Sequence, residues 1–423
     1  MIRRRVRSRR VPVWSIPLLY AVIAFIAGLV LPRLETGLAL GIDSGMSAAA
    51  AVAIYSSIAS GMIALTGIVF SLAFVMVQFS ATAYSPRLVL WVARDPVLWH
   101  AVGIFSGTFI YALAAIAWVE RAGAHGVPLF SGWLVIALLL ASVGMFVALI
   151  EKISLLQVHR MLAFAADHGR AVIEQTYPQK ETATALPDRE AFRRLAVTQT
   201  LRHAGRPRTV QALDVPVLLA QSTAAGAVLE VVAAVGDTLV EDTVMLRVFG
   251  GKQAIAEDAL RSAFAIGDER TFEQDPKYAI RLLVDIAIKA LSPAVNDPTT
   301  AVQALDQIED LLLHLGRRRL EIGAIRDGGG ALRLAIPYPT WDDFLILAFD
   351  EIRYCGASSV QVMRRMKALI ADLIGALPPE RHASLRHFQK RLDATIAKSF
   401  EDAEEKQEAS IEDRQGLGTP RSH

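Results

Sequence analysis

Four long apolar stretches, none of which contains Asp, Glu, Lys or Arg, dominate the first 150 residues. They cover about residues 13–31, 48–79, 97–119 and 127–150. Each could cross a hydrocarbon core of about 30 Å, because an α-helix rises about 1.5 Å per residue. A helix also satisfies its own backbone hydrogen bonds, which lipid cannot do. The pattern therefore predicts a transmembrane domain of four helices over residues 13–150.

The rest of the chain has the mixed polar and apolar pattern of a soluble protein. Valine-rich runs around Gly236-Asp237 predict β-hairpins. The last 24 residues carry seven acidic and three basic side chains, a composition typical of disorder. We expect a helical extension of the fourth span over 151–176, a linker with a short helix (191–203) over 177–207, a small β unit over 208–250, a helical domain over 251–399 and a disordered acidic tail over 400–423. The predicted fold is an α-helical integral membrane protein with four transmembrane helices, followed by a mostly helical cytosolic region containing a small β unit.

The flanking charges predict the orientation in the membrane. Residues 1–12 form a basic N-terminus with six arginines, and basic flanks stay in the cytoplasm. The sequence Pro32-Arg33-Leu34-Glu35 is a poor cleavage site, so the first span is interpreted as an uncleaved anchor. After four spans the chain returns to the cytoplasm. Both termini are therefore expected on the cytoplasmic side of a bacterial inner (plasma) membrane.

Small residues in two spans predict close helix packing. The third span contains Gly103 and Gly107, a G-x-x-x-G pair, and the second contains Ser57 and Gly61. Small side chains at this spacing let two helix backbones approach closely. Two interpretations remain open: packing within one four-helix bundle, or contact between subunits of a homo-oligomer.

A short segment between the second and third spans has the composition of an interfacial helix. Ser85 and Pro86 suit a helix start, Trp91 favours the headgroup level, and Arg87 and Arg94 favour anionic lipid. The segment predicts a contact with the cytoplasmic leaflet. A plain loop is the alternative.

The stretch 277–291 predicts a largely buried helix with one polar stripe. The stripe contains Lys277, Arg281, Asp285 and Lys289, each four residues apart, so that neighbours can form ion pairs. A salt-bridge line on the surface is one interpretation. A polar seam that faces a functional site is the other.

The turn that follows this helix is the second candidate motif. Its members are Ser292, Pro293, Asn296, Asp297 and Pro298. Pro293 stops the helix, Asp297 is a natural N-cap, and Pro298 suits the first position of a helix over 298–315. Further elements are predicted as a strand over 331–336 and helices over 340–354, 357–376 and 379–398.

Composition and motifs narrow the classes of function. The net charge is +2 without a basic face beyond the N-terminus, so no nucleic-acid partner is expected. The chain has one cysteine, and its histidines lack ligand spacing, so neither a disulfide nor a zinc site is expected. No lysine lies between 227 and 249 to carry a cofactor, and no catalytic motif is present. We therefore expect no cofactor and no enzyme.

Several segments resemble the bacterial predicted membrane proteins catalogued as domain of unknown function 2254. The similarity runs from about residue 15 to 395 and is most specific at Ala290-Leu-Ser-Pro-Ala-Val-Asn-Asp-Pro298. It also includes Gln78-Phe-Ser80, Ser85-Pro-Arg-Leu88, Arg94-Asp95, Gly103–Tyr111, Val210-Gln-Ala212, Val235-Gly-Asp237, Asp275-Pro276 and Asp285–Ala301. The resemblance implies a four-span inner-membrane protein and no particular activity.

Three hypotheses for function follow. The first is a homo-oligomeric membrane protein with a channel-like pore gated by the cytosolic region. The second is a membrane-anchored regulatory or interaction module. The third is an enzyme using Asp285, Asn296 and Asp297. The lipid bilayer is the only partner that all three share, and the spans lack the charged relay typical of pumps.

Overall fold

The computed structural model describes residues 14–37, 46–83, 96–122, 129–154, 158–179 and 191–417. The chain divides into two compact units, Met1–Gln157 and Val158–His423. They are called the four-helix unit and the C-terminal unit below. The predicted basic N-terminus over 1–12 lies outside the described residues.

Four helices make up the described part of the first unit. They are α1 (Ser15–Gly37), α2 (Ala48–Ala83), α3 (Pro96–Ala122) and α4 (Leu129–Ser154). All four are long and apolar enough to cross a membrane, which confirms the predicted spans at this level. α3 packs against each of the other three helices and forms the centre of the unit.

α2 is the longest helix and buries one face only. Its 36 residues would extend about 54 Å, well beyond a hydrocarbon core of about 30 Å. Its buried side chains recur at helical spacing on the face toward α3: Ala51, Tyr55, Ala59, Met62 and Val69. The opposite face is exposed within the unit.

The C-terminal unit combines a bundle of helices with two β-sheets. Its larger helices are α5 (Val158–Thr176), α6 (Val215–Ala225), α8 (Pro276–Ala290), α9 (Pro298–Gly316), α10 (Trp341–Cys355), α11 (Val360–Ala376) and α12 (His382–Ser399); α7 (Glu257–Ser262) and α13 (Ala403–Ala409) are short. α8 packs against α5, α9 and α10. As predicted, α8 has one polar stripe and apolar residues on its other faces, and most of these apolar residues are buried.

The described residues of this unit form two sheets. Its strands are β1 (Val197–Arg202), β2 (Arg208–Leu213), β3 (Ala227–Val231), β4 (Thr238–Leu239), β5 (Val244–Gly250), β6 (Phe264–Gly267), β7 (Ala324–Arg326) and β8 (Leu332–Ala335). The five-stranded sheet has the order β1-β5-β3-β8-β7, and the three-stranded sheet has the order β4-β2-β6. β3 and β8 are parallel, whereas the other pairs are antiparallel. The strands therefore extend beyond the expected range 208–250.

The helix expected over 191–203 is wrong. Residues Ala191–Arg194 form a single 3-10 turn, and Val197–Arg202 form a strand that pairs with β5. The six residues V-T-Q-T-L-R contain three β-branched side chains, which favour a pleated surface. Residues 180–190, the middle of the predicted linker, lie outside the described residues.

The acidic tail is also ordered through Leu417, contrary to the expected disorder over 400–423. Asp402 caps α13, and the buried Arg364 on α11 donates to the carbonyl of Glu408 at 2.5 Å. Gln361 of α11 also donates to the carbonyl of Gly416. The prediction of disorder rested on amino-acid composition alone. Composition contains no information about the contacts that α11 makes with this segment in the folded protein. Residues 418–423 lie outside the described residues.

Candidate functional site

The polar stripe of α8 forms a clamp between two helices. Nε of Arg281 donates to Oδ1 of Asp285 at 2.6 Å, and a terminal nitrogen of Arg281 donates to Glu351 of α10 at 2.9 Å. The hydrogen bond to Glu351 is the largest cause that raises the pKa of Arg281. Lys289 is exposed and takes no part in this clamp. The stripe thus joins α8 to α10.

The turn after α8 is a close connection between two helices. Asn296 has a φ of +49°, a left-handed conformation that asparagine tolerates better than most residues. Its backbone N–H donates to the carbonyl of Ser292 at 2.8 Å, and Val295 bonds the same oxygen. The N–H of Asp297 donates to Ala290 at 2.8 Å. Pro293 lies inside this turn, three residues beyond the end of α8.

Asp297 has the capping geometry that the sequence predicted. Its Oδ1 accepts from the backbone N–H of Thr300 at 3.1 Å, and its Oδ2 accepts from the hydroxyl of Thr300 at 2.6 Å. Pro298 occupies the first turn of α9. Arg281 and Asp285 of the stripe and Asp297 of the turn are therefore engaged in structural hydrogen bonds, which favours the structural interpretation of both motifs.

The G-x-x-x-G pair of α3 packs against α1 within the same chain. A Cβ placed on Gly103 would lie 2.8 Å from a ring carbon of Tyr20, and one on Gly107 would lie 3.6 Å from the Tyr20 carbonyl. The Tyr20 hydroxyl also lies 3.2 Å from Nδ1 of His100 on α3. Gly103 and Gly107 therefore pack inside one four-helix bundle, which is the first of the two interpretations.

Hydroxyl groups join α3 to α4 in the same unit. The side-chain oxygens of Thr108 and Ser142 are both buried and lie 3.0 Å apart. The Ser142 hydroxyl donates to the carbonyl of Leu138 at 2.8 Å. Burying a hydroxyl away from water costs little free energy when the hydroxyl has a hydrogen-bond partner.

Ser57 and Gly61 lie on the exposed face of α2, away from α3. A Cβ on Gly61 would have no atom of the described residues within 4 Å, and the same holds for Gly67. Six small residues are exposed on α2, namely Ser57, Ser60, Gly61, Ala64, Gly67 and Ser71. Large apolar side chains of the same helix, among them Ile63, Ile68 and Phe70, are exposed beside them. The predicted interface residues Arg87, Trp91 and Arg94 lie outside the described residues.

A buried carboxylate that the sequence pattern did not single out lies on the central strand of the larger sheet. Glu230 of β3 is 7% exposed. It accepts hydrogen bonds from Arg193 at 2.8 Å and from Arg247 of β5 at 3.2 Å. The available signal was one charged residue within the otherwise apolar strand Ala227–Val231. Its arginine partners come from distant segments, so only the fold reveals them.

A second buried acid, Asp275, caps α8. It is 2% exposed and accepts from the N–H of Tyr278 at 3.2 Å. Nε of Arg270 lies 3.8 Å from its Oδ2 and donates to the carbonyl of Gly236 at 2.8 Å. Burial raises the pKa of Asp275, although Arg270 acts in the opposite direction. Gly236, with a φ of +90°, leaves no room there for a side chain.

Three family-resembling segments meet around this acid. The N–H of Gly236 donates to the carbonyl of Val210 at 2.8 Å, and Val210 donates to Asp237 at 3.0 Å. Asp275 lies against the same turn. Within the described residues, no three His, Cys, Asp or Glu side chains come together as a metal site requires.

Comparison with known proteins points to a single family. Residues 10–372 match the family model described as "Predicted membrane protein (DUF2254)". Uncharacterized proteins of Mycobacterium bovis and of Mycobacterium tuberculosis strain H37Rv are each 27% identical over 347 residues, which cover 78% of this chain and 65% of theirs. A third, from M. tuberculosis strain Oshkosh, is 26% identical over the same length. The match thus covers less than two thirds of these relatives. No solved structure matches.

Proposed function

The chain belongs to the DUF2254 family of predicted membrane proteins, and from this premise we propose that it forms a homo-oligomer whose subunits meet along the outer face of α2. The observation that carries the proposal is the contrast between two glycines. The space beside Gly103 is occupied by Tyr20 of the same chain. At Gly61, by contrast, no atom of the described residues lies within 4 Å of the position that a Cβ would take.

Membrane physics supports a second copy of the chain as the partner of this face. Lipid tails are as apolar as a leucine side chain, so the hydrophobic effect does not drive helices together within a bilayer. Helices there associate through close packing instead. Small residues at three- and four-residue spacing provide that packing, as Gly103 and Gly107 do within the protomer. Small residues at the same spacing run along the outer face of α2 from Ser57 to Ser71, about four helical turns, beside the exposed side chain of Ile68.

The test uses two glycine-to-leucine variants of the full chain in nanodiscs. Gly61→Leu should lower the oligomer mass to that of a smaller species and leave the protomer folded. Gly144→Leu is the matched control, because Gly144 of α4 is also exposed with no atom of the described residues within 4 Å. It lies among the large exposed side chains Leu140, Val143 and Val147. Gly144→Leu should therefore keep the wild-type mass.

Two results would count against this assembly. A monomeric wild-type protein in nanodiscs would remove it directly. Equal loss of mass in Gly61→Leu and Gly144→Leu would show that any added bulk in the spans disturbs the protein, so that the α2 face has no special part.

A pore at the centre of the oligomer is a second candidate, favoured by the hydroxyls of the same face. Ser57, Ser60 and Ser71 are exposed on α2, and hydroxyls can replace the water around a permeating ion. Reconstituted protein should then conduct in a planar bilayer. In a Cys355→Ser background, Ser60→Cys should become sensitive to a charged thiol reagent. An oligomer without conductance would favour the membrane-anchored regulatory module.

We also propose that both termini lie in the cytoplasm of a bacterial cell, so that the C-terminal unit is cytosolic. Support comes from the arginine-rich residues 1–12 and from the even number of candidate spans, four, among the described residues. The only cysteine, Cys355, is exposed and can report the location. A membrane-impermeant maleimide should label it after cells are opened and not before. Labelling of intact spheroplasts would reverse the orientation.

A further inference from the structure

A cavity of about 420 Å³ lies on one face of the five-stranded sheet, within the C-terminal unit. It is lined by Arg193, Glu230, Arg247, Ala324, Ala335 and Tyr338, among others. Its volume lies within the range of about 300–1,000 Å³ that is usual for small-molecule sites. The cavity also adjoins the carboxyl ends of β3 and β8, the parallel pair, where ligands of α/β sheets commonly bind.

The floor of the cavity is a single row of side chains across four strands. Arg247 of β5 pairs with Glu230 of β3, Glu230 with Ala335 of β8, and Ala335 with Ala324 of β7. Half of the row is therefore charged and the other half is made of methyl groups. The two alanines leave the space that larger side chains would fill, directly beside the charged pair.

Among the described residues that line the cavity, the charged side chains are Arg193, Glu230 and Arg247. The carboxylate of Glu230 accepts from Nε and a terminal nitrogen of Arg193, at 3.2 and 2.8 Å, and from Arg247 at 3.2 Å. Both guanidinium groups thus donate to the carboxylate of Glu230. The side chain of Glu230 is 10% exposed and that of Arg247 is 42% exposed, so the cation and not the anion is open to an incoming molecule.

We propose that this cavity binds a small organic anion with a flat apolar body. The anionic group would contact the exposed side of the Arg247 guanidinium, whose planar fork suits phosphate and carboxylate oxygens. The body would lie over Ala335 and Ala324, with the Tyr338 ring at the edge of the cavity. This inference concerns one protomer and is independent of the proposed oligomer.

The first experiment measures binding of phenyl phosphate to the full chain by titration calorimetry. A maltoside detergent, which carries no phosphate, keeps lipid headgroups out of the competition. Arg247→Gln should weaken binding at least about tenfold, as expected for loss of a charge-assisted hydrogen bond. Arg202→Gln is the matched control, because Arg202 is a strand arginine that bonds Asp242 instead. Benzyl alcohol, a neutral relative of the probe, should bind at least about tenfold more weakly than phenyl phosphate.

Glu230→Gln provides a test that a loss of folding cannot imitate. The substitution removes the internal carboxylate that competes for both arginines, so phenyl phosphate should bind more tightly than to the wild type. The rise in melting temperature caused by the probe should also be larger in the variant. Adding Arg247→Gln to Glu230→Gln should abolish that gain.

Filling the cavity tests its apolar half. Ala335→Leu should prevent binding of phenyl phosphate, whereas Ala331→Leu, at an exposed position of the β7–β8 connection, should not. Benzoate should compete with phenyl phosphate if any small aromatic anion is accepted, and inorganic phosphate should compete far less. The proposal is overturned if Glu230→Gln weakens binding, if Ala335→Leu leaves it unchanged, or if the wild type does not bind the probe.

Discussion

The two units of this chain keep their helices together by different means. In the four-helix unit, many large apolar side chains such as Phe70 and Trp133 are exposed, and small residues and hydroxyls contribute to the contacts at the centre beside the buried Phe105. In the C-terminal unit, most large apolar side chains are buried, and Leu283 of α8 is one of many that are fully inaccessible, whereas a few such as Ile346 are exposed. Apolar burial contributes about 25 cal/mol per Å² in water and almost nothing between helices in lipid.

Polar groups show the same difference. The four-helix unit pairs uncharged side chains, such as Thr108 with Ser142, and has a carboxylate at the start of α4, where Glu35 accepts from the N–H of Phe130 at 2.8 Å. The C-terminal unit uses carboxylates at helix starts, including Asp214, Asp275 and Asp297, and a cross-helix ion pair at Arg281. A carboxylate is stabilised by water or by a helix N-terminus, whereas placing the same charge in hydrocarbon has a large free-energy cost. The four-helix unit thus relies more on close packing of small residues, which is effective in lipid. The C-terminal unit relies more on apolar burial and charged caps, which are effective in water.

The largest expected effect tests whether close backbone approach holds the four-helix unit together. Gly103→Leu would force a side chain into the ring of Tyr20, 2.8 Å from the position of its Cβ. Overpacking of this kind costs about 1–3 kcal/mol, and more where the backbone cannot move. Thermal unfolding in nanodiscs should show loss of the four-helix unit while the C-terminal unit melts as before. Wild-type stability of this variant would contradict the packing role of Gly103.

A smaller effect is expected from the cap at Asp297, which sharpens the contrast because a charged side chain acts here through partly buried hydrogen bonds to Thr300. Asp297→Ala should cost about 0.5–2 kcal/mol and speed hydrogen exchange at the amide of Thr300. Asp297→Asn should restore most of the loss, because the amide oxygen can accept the same bond. An unchanged exchange rate in Asp297→Ala would refute the capping role and revive a ligand-binding one.

The smallest effect concerns Asp275, the buried exception among the caps. Burial raises its pKa above the ordinary value of 3.8, so the folded state holds the proton more tightly than the unfolded state. The resulting stability is present below the unfolded pKa and is lost as the pH rises through the folded pKa. Wild-type protein should therefore gain stability relative to Asp275→Asn as the pH is lowered toward 4. Melting temperatures measured from pH 7 to pH 4 in both proteins check the sign, and a relative loss would contradict it.

The predicted elements that proved correct were those whose pattern needs no distant partner. Helix α8 and its neighbour α9 were visible from apolar periodicity, and Asp297 with Pro298 marked the start of α9 within a residue. The strand β1 was missed because its six residues gain stability from β5, about 45 positions later in the chain. The ordered tail was missed because Arg364 and Gln361 of α11 supply its partners.

The sequence by itself determined the four candidate spans, since an uncharged apolar run of such length has one stable form in lipid. It also determined the local chemistry of the caps, because capping acts over three residues. Only the tertiary structure decided that Gly103 packs against Tyr20 while Gly61 has no neighbour among the described residues. It alone brought Arg193 and Arg247 to Glu230 across as many as 37 positions of the chain. Spacing along a helix predicts which residues share a face, but what that face meets depends on where the rest of the chain folds.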